Sequence, residues 1–225
     1  MSMRVLGISS SPRADGNSDL LLRHALEGAA SAGAEVEYLG LRDLQMTGCE
    51  ECNFCYQGGQ CRIEDGFQGI IPGLLAADRL ILATPVFFMA VSAQAKMMID
   101  RCQCLWARQY VLKQPLFPGE QRDRRCLVLA VGGTRAKRMF DCITLTVKYW
   151  LDVLQVTHAA SLFVNQVDNK GDIVRHALAW DEAFRLGAEV VTDSAAPARP
   201  VVVELFEGLG PGAGRADHPV PPAVT

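Results

Sequence analysis

Five short apolar runs, separated by stretches with apolar residues at helical spacing, predict an α/β domain. Its core is a doubly wound parallel sheet of five strands with helices on both faces. The runs are residues 4–8, 35–39, 79–83, 126–131 and 156–164. Residues 17–32 place Leu21, Leu22, Ala25, Leu26 and Ala29 on one helical face, and Gly33 can end that helix. Residues 67–77, 92–102, 136–154 and 171–192 read as further helices, with Pro72 weakening the first of these. A chain of 225 residues suffices for one domain with its own core.

Residues 1–194 are assigned to that domain, and residues 40–66 form its longest loop. Residues 106–125, with Pro115, Pro118 and Gly119, read as an irregular insertion. From residue 195 the composition shifts to Pro, Gly and Ala. Within this tail, residues 201–206 suit a short strand or a docking segment, and residues 208–225 read as disordered.

Bulk properties exclude several roles. A net charge of −3 and an aromatic content of 7%, without a basic stripe, exclude nucleic acid as partner. The longest uncharged apolar run, residues 80–93, is broken by Pro85 and falls short of the roughly 20 residues of a membrane helix. The first residues read as a strand rather than a signal peptide, so a cytoplasmic protein is expected.

The loop after the first strand carries Ser9, Ser11, Arg13, Asn17 and Ser18 and runs into a helix N-terminus. Unpaired N–H groups, hydroxyls, an amide and a guanidinium together suit a phosphate monoester. The other reading is a plain loop with Asn17 or Ser18 as N-cap. No G-x-x-x-x-G-K-[ST] or G-x-G-x-x-G is present. The loop after the third strand, Pro85, Val86, Phe87, Phe88 and Met89, is apolar where a polar loop is the norm. A flat isoalloxazine ring explains it; core packing or an oligomer contact are the alternatives. Gly132, Gly133 and Thr134 follow the fourth strand and allow close backbone approach. In such sheets all three loops meet at one edge.

Cys49, Cys52, Cys55 and Cys61 are spaced C-x2-C-x2-C-x5-C. Four thiols this close suit a [4Fe–4S] cluster; a zinc site and a redox thiol pair are the alternatives. Gly58 and Gly59 can turn Cys61 back toward the other three. The remaining cysteines, Cys102, Cys104, Cys126 and Cys142, read as small core residues. The run Arg122-Asp123-Arg124-Arg125 reads as a solvated loop.

With these residues in view, the chain resembles the iron–sulfur flavoproteins of the NAD(P)H-dependent FMN reductase superfamily. The resemblance rests on Gly7-Ile8-Ser9-Ser10-Ser11-Pro12-Arg13, Gly16-Asn17-Ser18, the four cysteines and Glu64-Asp65. Ala77-Asp78, Thr84-Pro85-Val86-Phe87, Ser92-Ala93-Gln94-Ala95-Lys96 and Ile99-Asp100-Arg101 extend it. It is strong over residues 3–101. Ser10 and Phe87 depart from the glycine and tyrosine frequent in the family. The resemblance implies a flavodoxin-like fold, non-covalent FMN, a [4Fe–4S] cluster on the four cysteines, and a homodimer or homotetramer with FMN near the interface. It implies phosphate binding by Ser9, Ser11, Arg13, Asn17 and Ser18, and ring binding by residues 85–89 and 132–134.

The expected function is an electron-transfer flavoenzyme using NAD(P)H or a reduced ferredoxin-like carrier. A flavin or quinone reductase with zinc or structural cysteines, and a non-enzymatic redox sensor, are the alternatives. No acid or base is required, and no catalytic residue is assigned.

Overall fold

The computed structural model describes residues 2–119, 122–136 and 138–206. The strands are β1 (Arg4–Ser9), β2 (Glu35–Gly40), β3 (Arg79–Pro85), β4 (Arg125–Val131), β5 (Thr157–Val164) and β6 (Val201–Leu205). The helices are α1 (Asn17–Ser31), α2 (Cys55–Gly58), α3 (Phe67–Ala76), α4 (Ala93–Arg101), α5 (Gln103–Trp106), α6 (Asp141–Leu154) and α7 (Ala177–Thr192). Every pairing is parallel, in the order β2-β1-β3-β4-β5-β6.

The doubly wound α/β expectation therefore holds, with one correction: the sheet has six strands. β6 pairs with β5 from Ala160↔Val201 to Val164↔Leu205. Without it, the outer edge of β5 would leave its backbone groups unpaired. The expected disordered segment 208–225 lies outside the described residues. No helix among the described residues is long and apolar enough to cross a membrane.

Side chains alternate across the buried strands, as period-two geometry dictates. Leu6, Ile8, Leu80, Leu82, Val128 and Ala130 face α3, α4 and α6. Val5, Ile81, Ala83, Leu127, Leu129 and Val131 face α1 and α7. α6 starts at Asp141, five residues later than expected, because the preceding loop buries Met139 and Phe140. The expected insertion is partly helical: α5 runs into a π-type turn at Ala107–Val111. Cys102, Cys104 and Cys126 are buried, as expected of core residues, but Cys142 is exposed.

The charged run near β4 is a second correction. Arg124 and Arg125 are buried. Arg124 donates to Ala77 O (2.9 Å) and Leu154 O (2.6 Å), and also to Leu74 O. Arg122 reaches Leu75 O and Ala76 O, and Arg79 reaches Val190 O (2.6 Å). The last carbonyls of a helix lack intrahelical partners, and these guanidinium groups satisfy them for α3, α6 and α7. Burial outweighs the other influences on Arg124 and brings its pKa down to about 10.

α1 and α7 approach until backbone meets backbone. A Cβ on Gly28 would overlap the Phe184 carbonyl, and one on Gly187 the Ala25 carbonyl. Gly187→Ala is expected to lower stability by about 1–3 kcal/mol. Denaturant unfolding with an unchanged midpoint would contradict that contact.

Candidate functional site at the carboxyl edge

β1 lies between β2 and β3, so the connections leaving β1 and β3 diverge. Ligands of open α/β sheets bind at such a reversal, beyond the carboxyl ends of the strands. The loops there are laced together. Ser10 N and Oγ both donate to Ala83 O (2.9 and 3.0 Å). Ser92 Oγ donates to Ser10 O (2.8 Å), and Ser92 N donates to Thr84 Oγ1 (3.0 Å). Val86 N donates to Val131 O, and Gly132 N to Val164 O (both 2.9 Å).

A cavity of about 80 Å³ opens between these loops. One wall is the start of α1. Its N-cap position is Gly16, and no side chain caps the helix, so neither Asn17 nor Ser18 is the N-cap. The first-turn N–H groups, at Asn17, Ser18 and Asp19, therefore lack an intrahelical acceptor at the positive end of the helix dipole. The Ser18 hydroxyl is buried and without a hydrogen-bond partner among the described residues. These features fit an oxyanion of phosphoryl size. The volume is well below the roughly 300 Å³ of a pocket for a whole organic ligand.

Of the expected residues, Ser11, Arg13, Asn17, Ser18, Pro85, Val86, Phe87, Gly132 and Gly133 line the cavity. Ser9, Phe88, Met89 and Thr134 do not. Ser11 Oγ donates to Arg13 O (2.8 Å) and shapes the loop. The Asn17 amide is committed elsewhere: Nδ2 donates to Asn169 O (2.9 Å), and Oδ1 accepts from Ile173 N. It binds α1 to the loop after β5.

Ser9 is buried beside Asp19. Burial pushes the Asp19 carboxyl up. The hydroxyls of Ser9 and Tyr38, the Asp15 N–H and the Arg42 guanidinium outweigh it and hold the group below its ordinary value. Through its bond to Asp15 N (3.0 Å), Asp19 fixes a loop residue at φ 55°.

Phe88 and Met89 occupy the tip of a two-residue turn closed by Phe87 N→Ala90 O (3.1 Å) and Ala90 N→Phe87 O (2.9 Å). Both have left-handed φ, 48° and 61°. That conformation costs a non-glycine residue about 1–2 kcal/mol. The strained turn holds Phe88 fully in solvent. An apolar surface held out this way suits a flat ligand or a second chain.

The four cysteines line a second cavity of about 550 Å³. Their loop turns through left-handed residues at Glu51, Asn53 and Gly59, and Gly59 N closes back on Cys55 O (2.8 Å). Burial, then the neighbouring thiols Cys49, Cys52 and Cys61, push the Cys55 thiol up. Among the described residues, no three His, Cys, Asp or Glu side chains form a group able to hold a metal ion. A single zinc requires sulfurs about 2.3 Å from one centre, whereas a cubane gives each thiolate its own iron.

The profile of the NADPH-dependent FMN reductase family matches residues 3–166, most of the chain. The chain belongs to this family. An iron-sulfur flavoprotein of Methanocaldococcus jannaschii is 45% identical over 103 residues, 46% of this chain and 53% of that protein. An iron-sulfur flavoprotein of Archaeoglobus fulgidus is 33% identical over 58% of this chain and 63% of its own length. The chain thus spans about half to two thirds of these curated relatives. An NAD(P)H:quinone oxidoreductase from Methanothermobacter marburgensis superposes with a TM-score of 0.66 at 17% identity, over 87% of this chain and 99% of that one. This last likeness establishes the shared fold.

In this FMN reductase family member, sequence reading missed Val167 and Asp168, which also line the smaller cavity. Their signal was positional: they follow β5 at the edge where the other loops were sought. Asp65 stood in the resemblance without a role; its carboxylate accepts from Thr47 N (2.9 Å), Phe67 N (3.0 Å) and Arg101 (2.8 and 3.1 Å). Burial pushes the Asp65 carboxyl up, but Arg101 and the two N–H groups outweigh it and bring it down to about 2. A depressed carboxyl stabilises the fold fully above its unfolded pKa, near 4, and loses that contribution as pH falls toward 2. Asp65→Asn is expected to cost about 1.5–3 kcal/mol at neutral pH. The gap between wild type and variant should close between about pH 4 and 2 in denaturant titrations; a pH-independent gap would contradict it.

Proposed function

We propose that the chain is an FMN-dependent oxidoreductase of the iron–sulfur flavoprotein type, drawing electrons from NAD(P)H or a reduced ferredoxin-like carrier. One observation carries this reading. The loops that follow β1, β3 and β4 enclose a phosphoryl-sized cavity at an uncapped helix, and the loop that follows β2 contributes four cysteines to a larger one. The family and the relatives named above support it, since the family is one of FMN reductases and two relatives are called iron-sulfur flavoproteins.

The first-turn N–H groups of α1, the Ser18 hydroxyl and Arg13 would hold the FMN phosphate, with Ser9 and Asn17 shaping that loop and Ser11 its turn. The residues 85–89 and the turn at Gly132, Gly133 and Thr134 would flank the ring. Cys49, Cys52, Cys55 and Cys61 would hold a [4Fe–4S] cluster. FMN supplies exchange between paired and single electrons, and a cluster supplies a one-electron store. The chain's own work is to seat both groups, exclude water and tune their surroundings.

α4 joins the two regions. Its N-cap Ser92 is bonded to the loops of β1 and β3, and its last residue, Arg101, to the cysteine loop. Nine residues span about 13 Å at 1.5 Å per residue, a short and rigid spacer. The exposed turn at Phe87, Phe88 and Met89 supports assembly into a homodimer or homotetramer that covers the ring. A reducing cytoplasm suits four free thiols in one loop.

Cys49→Ser tests the reading in protein purified without oxygen. The variant is expected to keep FMN at wild-type occupancy while losing iron and acid-labile sulfide. Unchanged iron in the variant, or stoichiometric zinc without sulfide in the wild type, would contradict it.

A further inference from the structure

The Arg101 guanidinium is buried at the end of α4, with its side chain wholly removed from solvent. It donates to Thr47 O (3.0 Å), two residues before Cys49, and to Ile63 O (2.9 Å), two residues after Cys61. The same group forms a forked pair with Asp65 and stacks over the Phe67 ring at 4.7 Å. One cation therefore ties both ends of the cysteine loop to a rigid helix.

Four of its five N–H donors face these oxygens. The fifth, on Nε, is buried and has no hydrogen-bond partner among the described residues. A buried charged donor left unpaired is costly, and native structures seldom keep one without a purpose. Arg101 and Cys61 line the same cavity.

We infer that Arg101 is a positioning residue of the cysteine centre, clamping both ends of its loop and reserving its Nε–H for the sulfur of Cys61. This rests on the cluster reading above and adds a residue to it. A donor and a positive charge beside a ligating sulfur favour the more negative, reduced form of a cluster, so Arg101 raises its reduction potential. Partners that orient metal ligands also hold the metal itself, typically by 10–100-fold in affinity.

The test compares wild type, Arg101→Lys and Arg101→Gln, purified without oxygen and loaded with FMN. Iron and sulfide content, iron loss to a chelator and the cluster midpoint potential are measured. Arg101→Lys keeps the buried charge; it is expected to retain FMN and most of its iron, with a cluster reduced at more negative potential. Arg101→Gln is expected to retain FMN and hold iron about tenfold less tightly. Wild-type potential and chelator resistance in both variants would overturn the inference. Iron loss at unchanged potential in Arg101→Lys would overturn the Nε–H···S part and leave a structural pin. A wild type without iron and sulfide would instead overturn the cluster reading beneath it. Should Arg101→Gln aggregate, the Arg101→Lys potential decides alone.

Discussion

The winding of the sheet reverses between β1 and β3, and that reversal sets where a ligand can enter. The two strands pair in register, Ser9 opposite Ala83, yet the chain leaves them in opposite directions. Their loops cannot pack into each other as consecutive loops do, so a crevice stays open above them. Ser10, Thr84 and Ser92 hold its floor by hydrogen bonds among themselves and to Ala83 O. The N-terminus of α1 is left facing the crevice without a cap. A capping side chain there would stabilise the helix by about 1 kcal/mol, and a buried Ser18 hydroxyl without a partner costs about as much again. Both costs become gains once an anion sits in the crevice.

α4 carries the same edge outward. Its first turn belongs to the crevice and its last residue to the cysteine loop, so the two regions hold a fixed separation through one helix. The loop has little structure of its own: a four-residue helix and three left-handed turns. Its order comes from Arg101 and Asp65, which gather Thr47, Ile63 and Phe67 around one buried ion pair. A free chain of that length pays heavily for closure, and fixing both ends at one cation reduces what a bound metal centre must supply.

Much of this was legible in the sequence. The four inner strands, β1, β3, β4 and β5, are largely buried on both faces, so their apolar runs stand out. The cavity loops announce themselves as serine-rich, apolar and glycine-paired segments at strand ends. β6 was harder to read, because Val201–Leu205 follows a Pro-rich stretch and its pairing with β5 is set by the tertiary edge. Arg122–Arg125 misled because charge suggests solvent; only the packed helices show carbonyls needing donors. Asn17 looked like a ligand donor, but its amide serves a loop more than 150 residues away. Cys142 lies on the exposed side of α6, a face that the residue type alone does not specify. Arg101 stood in a resemblance motif without a role, because its partners come from residues 47, 63 and 65.

The grip of the α1 N-terminus on a phosphoryl group is the claim most open to direct measurement. Flavin-free protein titrated with FMN and with riboflavin, followed by fluorescence quenching, isolates that group, because the two ligands share the ring and differ in the phosphate. FMN is expected to bind at least tenfold more tightly, about 1.4 kcal/mol or more, with the gap narrowing as salt is added. Riboflavin binding as tightly as FMN would place the affinity in the ring alone and contradict the account.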